Sequence, residues 1–121
     1  MTRSFADCTV HIIGLGLMGG SLAMALRGGV RRITAEDVAP RVLESAQERG
    51  VIDAMGTADQ ADVVVIAIPA HRIIPLIAGL KLRPGTLVID LGSTKTHICD
   101  ALDQLPPQVM AVGGHPMCGL A

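Results

Sequence analysis

The stretch that most constrains this 121-residue chain is Val10-His11-Ile12-Ile13-Gly14-Leu15-Gly16-Leu17-Met18-Gly19-Gly20-Ser21-Leu22-Ala23. A run of apolar, β-favouring residues ends in the spacing G-x-G-x-x-G and passes without a polar loop into good helix formers. This is the strand-turn-helix context that a dinucleotide site requires. Gly14 permits the tight turn, Gly16 lets bare backbone approach a pyrophosphate, and Gly19 allows the helix to pack close to the strand. The helix start offers unpaired N–H groups and the positive end of its dipole to phosphates.

The same stretch carries no formal charge from Cys8 to Leu26, and Gly16-x-x-x-Gly20 has the spacing of a membrane-helix contact. A spanning helix needs about 20 mainly apolar residues, and the glycines and the histidine leave this one too poor in large side chains. Composition narrows the remaining classes. Half of the residues are apolar, which suits one compact domain of 121 residues with a real core. The formal charge of −1 comes from 10 basic and 11 acidic residues with no basic block, so neither a nucleic acid nor a membrane surface is an expected partner. Phe5 is the single aromatic residue, which removes stacking platforms for bases and leaves the core to aliphatic side chains. Cys8, Cys99 and Cys118 are odd in number and far apart, so no disulfide framework and no zinc site is indicated, and a reducing cytoplasm is the expected compartment. No signal peptide is expected, because the first apolar run is consumed by the glycine turn.

Strands and helices alternate along the chain. Strand one is expected from Cys8 to Ile13, with its helix running through Leu26 to Gly28-Gly29. A second strand follows over Arg32 to Val38, then a helix from Pro40 to Gly50. Val51-Ile52-Asp53 reads as a short strand. Asp62 to Pro69 reads as a buried parallel strand, and the spacing of Ile73, Ile74, Leu76, Ile77 and Leu80 as a helix with Pro75 in its first turn. Gly79 weakens that helix. Pro84-Gly85 is a turn, Thr86 to Leu91 a strand, Gly92 to Lys95 the entry to a helix ending by Leu105 before Pro106-Pro107, and Val109 to Val112 the last strand. This alternation predicts an α/β fold, a doubly wound parallel sheet of the Rossmann type in a single domain.

Ligands of such sheets bind outside the carboxyl ends of the strands, so the informative residues are those that directly follow strands. They are Gly14 to Gly19, Asp37, Ile68-Pro69-Ala70, Gly92 to Lys95 and Gly113 to Met117. Asp37, eighteen residues after Gly19, stands where a carboxylate accepts from both ribose hydroxyls of an adenosine and repels a 2′-phosphate, which favours NAD over NADP. Its other reading is a cap of the helix near Pro40, and Arg31, Arg32 and Arg41 leave NADP open. His115, between glycines and a proline, has the setting of a base for an alcohol that loses hydride. His11 reads as a satisfied or edge histidine, His71 and His97 as solvated ones. Ser93 is an N-cap or a site residue, Lys95 a first-turn surface residue or a site residue, and Cys118 a small apolar filler.

Three of these stretches together resemble a known family. Gly14-Leu15-Gly16-Leu17-Met18-Gly19-Gly20-Ser21-Leu22-Ala23, Asp90-Leu91-Gly92-Ser93-Thr94-Lys95 and Gly113-Gly114-His115-Pro116-Met117-Cys118-Gly119 look like the prephenate/arogenate dehydrogenases of tyrosine biosynthesis. The resemblance covers nearly the whole chain. It implies oxidative decarboxylation of prephenate or arogenate with NAD(P) as hydride acceptor. It implies His115 as the group that hydrogen-bonds the substrate ring hydroxyl and Ser93 as its helper; separately, no metal is expected. Cofactor contacts are expected at Gly14, Leu15, Gly16, Leu17, Met18, Gly19, Asp37, Ile68, Pro69 and Ser93. Members of the family usually carry a further helical domain for dimerisation and substrate binding, and the chain stops at Gly119-Leu120-Ala121 where the pattern continues with G-S/T-E. Residues 1–121 are therefore expected to be the dinucleotide-binding domain, with the helical domain absent and a homodimer expected for a full-length parent. The alternatives are a catalytically silent NAD-binding module and a β-hydroxyacid-type dehydrogenase domain.

Overall fold

A computed structural model describes residues 4–91, 102, 103, 105, 106 and 108–113. Six strands form one sheet: β1 (Thr9–Ile13), β2 (Arg32–Glu36), β3 (Ala54–Met55), β4 (Val63–Ile66), β5 (Leu87–Asp90) and β6 (Met110–Gly113). Their order is β3-β2-β1-β4-β5-β6 and every pairing is parallel. The helices described are α1 (Leu17–Leu26), α2 (Pro40–Glu48) and α3 (Ala70–Ala78). The doubly wound fold expected from the alternation is thus the observed one.

The alternation of side chains along the strands builds a core on each face. Val63 and Val65 of β4 join Val10, Ile12, Ile33 and Ala35 beneath Ala23 of α1 and Leu43 of α2. Val64 and Ile66 point the other way, to Ile13, Val88 and the Ile73 and Ile77 of α3. Strands buried on both faces must be apolar on both, which is why β4 reads as an unbroken β-branched run. Helix α1 is apolar all round, yet it buries only Gly19 and Ala23 against the sheet and leaves Leu17 and Met24 exposed.

Several boundaries differ from the sequence-based expectation. Strand β2 stops at Glu36 rather than Val38, because its last ladder acceptor is the Glu36 carbonyl, which takes the Gly14 N–H at 2.9 Å. The short strand falls at Ala54–Met55, not at Val51 to Asp53. Asp53 instead closes on Ile33: its side-chain oxygen accepts from the Ile33 N–H at 2.7 Å and its own N–H reaches the Ile33 carbonyl at 2.8 Å, so ladder pairing begins one residue later. Pro75 lies inside α3, which begins at Ala70, and not in its first turn. The bond it forfeits belongs to the carbonyl of His71, and both residues are exposed. Gly79 ends α3 as its C-cap instead of weakening its interior, and Leu80 lies beyond the helix. The expected helix following Gly92-Ser93-Thr94-Lys95 falls mostly outside the described residues.

Candidate functional site

The glycine turn departs from β1 between the carboxyl ends of β2 and β4, where the sheet order switches direction. Two of its glycines are required by the protein's own packing. Gly14 has φ +98, and a Cβ there would collide with the Ala67 carbonyl oxygen and come within 2.8 Å of Ile68 Cγ2. A Cβ on Gly19 would collide with the Gly14 carbonyl oxygen, so the first turn of α1 presses onto the loop that precedes it. Gly16 differs in kind: a Cβ there would meet nothing within 4 Å. No side chain caps the helix at Gly16, which leaves the first N–H groups of α1 available to a ligand. The protein itself does not explain a glycine at 16; a group drawn against bare backbone does. The residues present therefore fit a dinucleotide phosphate.

Asp37 follows β2 by one residue and is held from two sides. Its Oδ2 accepts from the Leu15 N–H at 2.8 Å and its Oδ1 from the Ala39 N–H at 2.9 Å. The second bond is an Asx turn; the N-cap of α2 is Ala39, and no side chain caps that helix, so the helix-cap reading of Asp37 does not hold. A carboxylate offers about four acceptor sites, so two N–H partners leave capacity for hydroxyl groups. Asp37 is thus fixed to the glycine loop and still able to accept.

Between these loops lies a crevice of about 340 Å³. Gly14, Gly16, Asp37, Ile68 and Pro69 line it, as do Glu36, Val38, Arg72 and Leu76, which sequence reasoning did not single out. Leu15, Leu17, Met18 and Gly19 are not on its walls: Leu15 contributes its N–H to Asp37, Gly19 packs on Gly14, and Leu17 and Met18 stand exposed at the start of α1. The missed wall residues carry no motif. Glu36 and Val38 come from the end of β2 and the loop after it, Arg72 and Leu76 from α3, and spacing does not encode that these segments border one crevice.

The arginines behave differently from the expectation that left NADP open. Arg31 and Arg32 line a hollow shared with Asp7 and Thr9 at the amino ends of the strands, and Arg41 lines a groove between α1 and α2. The described cation on the crevice is Arg72. His11 is fully buried within β1, with Nδ1 at 2.8 Å from Thr34 Oγ1 and Nε2 at 2.6 Å from Glu36 Oε2, so it is a satisfied histidine. His71 is exposed on α3. Ser93, Lys95, His97, Cys99, His115 and Cys118 lie outside the described residues. Among the described residues no cluster of His, Cys, Asp and Glu is arranged to hold a metal, Cys8 is a buried free thiol, and no helix is long and apolar enough to cross a membrane.

Comparison with known proteins decides the family. The family model described as "Prephenate dehydrogenase, nucleotide-binding domain" matches residues 22–121. The chain belongs to this family. It is 36% identical to a prephenate dehydrogenase of Lactococcus lactis subsp. cremoris, over 91% of this chain and 34% of that protein. Among solved structures it is similar to prephenate dehydrogenase from A. aeolicus in complex with hydroxyphenyl propionate and NAD+, with 30% identity and a TM-score of 0.81. That match covers 97% of this chain and 44% of the other. Synechocystis arogenate dehydrogenase follows at 31% identity and TM-score 0.80, over 89% of this chain and 40% of that one. The chain thus spans between a third and a half of these relatives, and what it shares with them is the nucleotide-binding domain.

Proposed function

We propose that this chain is the NAD-binding part of an enzyme that oxidatively decarboxylates prephenate or arogenate. One observation carries the nucleotide reading: the crevice joins a glycine whose missing Cβ the protein does not need, Gly16, to an anchored carboxylate with acceptor capacity left, Asp37. Family membership and the likeness to a prephenate dehydrogenase structure in complex with NAD+ support the same reading. The turn from Gly14 to Gly19 takes the pyrophosphate, Asp37 accepts from the ribose hydroxyls, and Ile68 and Pro69 close the crevice beside the sugar. With carboxylates at 36 and 37, NAD is the fitting cofactor and NADP the disfavoured one.

When bound, NAD+ supplies the hydride acceptor. By the family resemblance, His115 is the residue that would hydrogen-bond the substrate ring hydroxyl and take its proton as hydride leaves the same carbon, and Ser93 the one that would help it. Loss of carbon dioxide and aromatisation supply the driving force, so the protein's task is alignment. A longer protein carrying this chain would bring the substrate-binding and dimer-forming helical domain, and the compartment is the reducing cytoplasm. The test has two parts. NAD+ titrated into the chain by calorimetry should bind in the micromolar to millimolar range, and failure to bind would end the nucleotide reading. A longer reading frame containing the chain, given prephenate or arogenate and NAD+, should produce the absorbance of reduced cofactor; binding without turnover there would leave the silent module as the correct description.

A further inference from the structure

The nucleotide reading explains Gly16 and Asp37 but not the polar row beside them. His11 is wholly buried in the middle of a core strand, and its ring bridges Thr34 and Glu36 of the neighbouring strand. A carboxylate only accepts, so Nε2 carries the hydrogen donated to Glu36 Oε2 at 2.6 Å. In the neutral ring Nδ1 then accepts from the Thr34 hydroxyl at 2.8 Å. The row Thr34, His11, Glu36 is therefore directional, and it ends on a carboxylate that is 43% exposed at the crevice.

Burying an imidazole in a strand costs free energy unless its polar atoms are satisfied. Thr34 and Glu36 satisfy them, which accounts for the ring but not for the carboxylate reaching the crevice. Glu36 spends one oxygen on His11, and among the described residues no bond to its Oε1 occurs. The wall around it is suited to a flat ring: Val38, Ile68, Pro69 and Leu76 are apolar, and Glu36, Asp37 and Arg72 are the charged residues. Asp37 is tied to Leu15 of the glycine loop and marks the sugar, so a base attached to that sugar lies on this side of the crevice, beyond the loop.

Resting on the NAD reading, we propose that Glu36 is the acceptor for the exocyclic amine of the adenine ring, with His11 as the positioning residue that locks its carboxylate. The site is then selective for a 6-aminopurine: the amine donates to Oε1, whereas a 6-oxo group turns an acceptor toward an anion. A site built around one hydrogen bond rejects the analogue that lacks its donor. No bond is made or broken.

The test compares Kd values of NAD+, nicotinamide hypoxanthine dinucleotide and NADP+ by calorimetry for the wild-type chain and Glu36→Gln. The glutamine keeps an acceptor for His11 in its amide oxygen, which leaves its NH2, a donor suited to a 6-oxo purine, toward the crevice. Wild type should prefer NAD+ over the hypoxanthine analogue by about tenfold, as suits a charge-assisted hydrogen bond at a partly exposed site. In Glu36→Gln the preference for NAD+ should be lost or reversed toward the hypoxanthine analogue, with the melting temperature unchanged. Equal affinity of both dinucleotides for the wild type would overturn the proposal while leaving the NAD reading intact. So would Glu36→Gln that keeps the preference, or that changes only NADP+ affinity, which would make Glu36 a charge screen against the 2′-phosphate. If none of the three binds, the NAD reading itself falls.

Discussion

At the scale of single residues, glycines of one motif answer to different forces, and substitution separates them. Gly19→Ala places a methyl on the Gly14 carbonyl and Gly14→Ala adds a positive φ to a clash with Ala67, so each should lower stability by about 1–3 kcal/mol in urea denaturation. Gly16→Ala meets open space with φ −66 and should unfold at the same urea concentration as wild type, while NAD+ affinity falls about tenfold or more. A Gly16→Ala chain that binds NAD+ normally would show that the phosphate does not approach this backbone. Asp37→Ala should weaken NAD+ more than NADP+, because it removes the ribose acceptor and also the repulsion of a 2′-phosphate. An equal loss for both cofactors would remove Asp37 from the ribose. In a longer catalytic protein, His115→Ala should reduce turnover about a hundredfold or more with substrate at saturation, as removal of a general base does. Unchanged turnover there would refute its role.

At the scale of elements, the strands are begun and ended by side chains as much as by propensity. The carboxylates of Asp62 and Asp53 accept the N–H groups of Thr9 and Ile33 at 2.8 and 2.7 Å, and Asp37 turns the chain away after β2. These bonds join residues distant in sequence, at the starts of β1 and β2 and after the end of β2, and a run of β-formers does not announce them. Helix α3 shows the converse. Its apolar face, Ile73 and Ile77, buries well enough to carry Pro75 in the interior of the helix. Pro75→Ala restores the N–H that the His71 carbonyl lacks, and should stabilise the domain by about 1–2 kcal/mol once the looser unfolded chain is allowed for. A destabilised variant would mean that the proline ring packs in a way its exposure does not suggest.

At the scale of the whole molecule, every strand pairing is parallel and the order turns at β1 and β4, which puts the glycine loop, Asp37 and the Ile68-Pro69 corner at one edge. A chain that spans 34% of one relative and 44% of another thus carries the nucleotide-binding domain, with these loops at one edge of its sheet. On the proposed function, the 121 residues alone should bind NAD+ and turn over neither prephenate nor arogenate. Turnover by the 121 residues alone, followed as reduced cofactor, would contradict that division of labour.

What the sequence determined by itself was the periodic and the local: the alternation of strands and helices, the glycine spacing, and the carboxylate that follows β2. Each of these is written in neighbouring residues, because a turn with positive φ or a fully buried strand tolerates few side chains. Only the tertiary structure decided which residues meet from distant segments. It sent Arg31 and Arg32 to the opposite end of the sheet and Arg41 to another groove, brought Arg72 and Leu76 over the crevice, and joined His11 to Glu36 across two strands. Those placements follow from strand register and from the packing of the helices on the sheet, which arise when the layers assemble and have no signature in spacing along the chain.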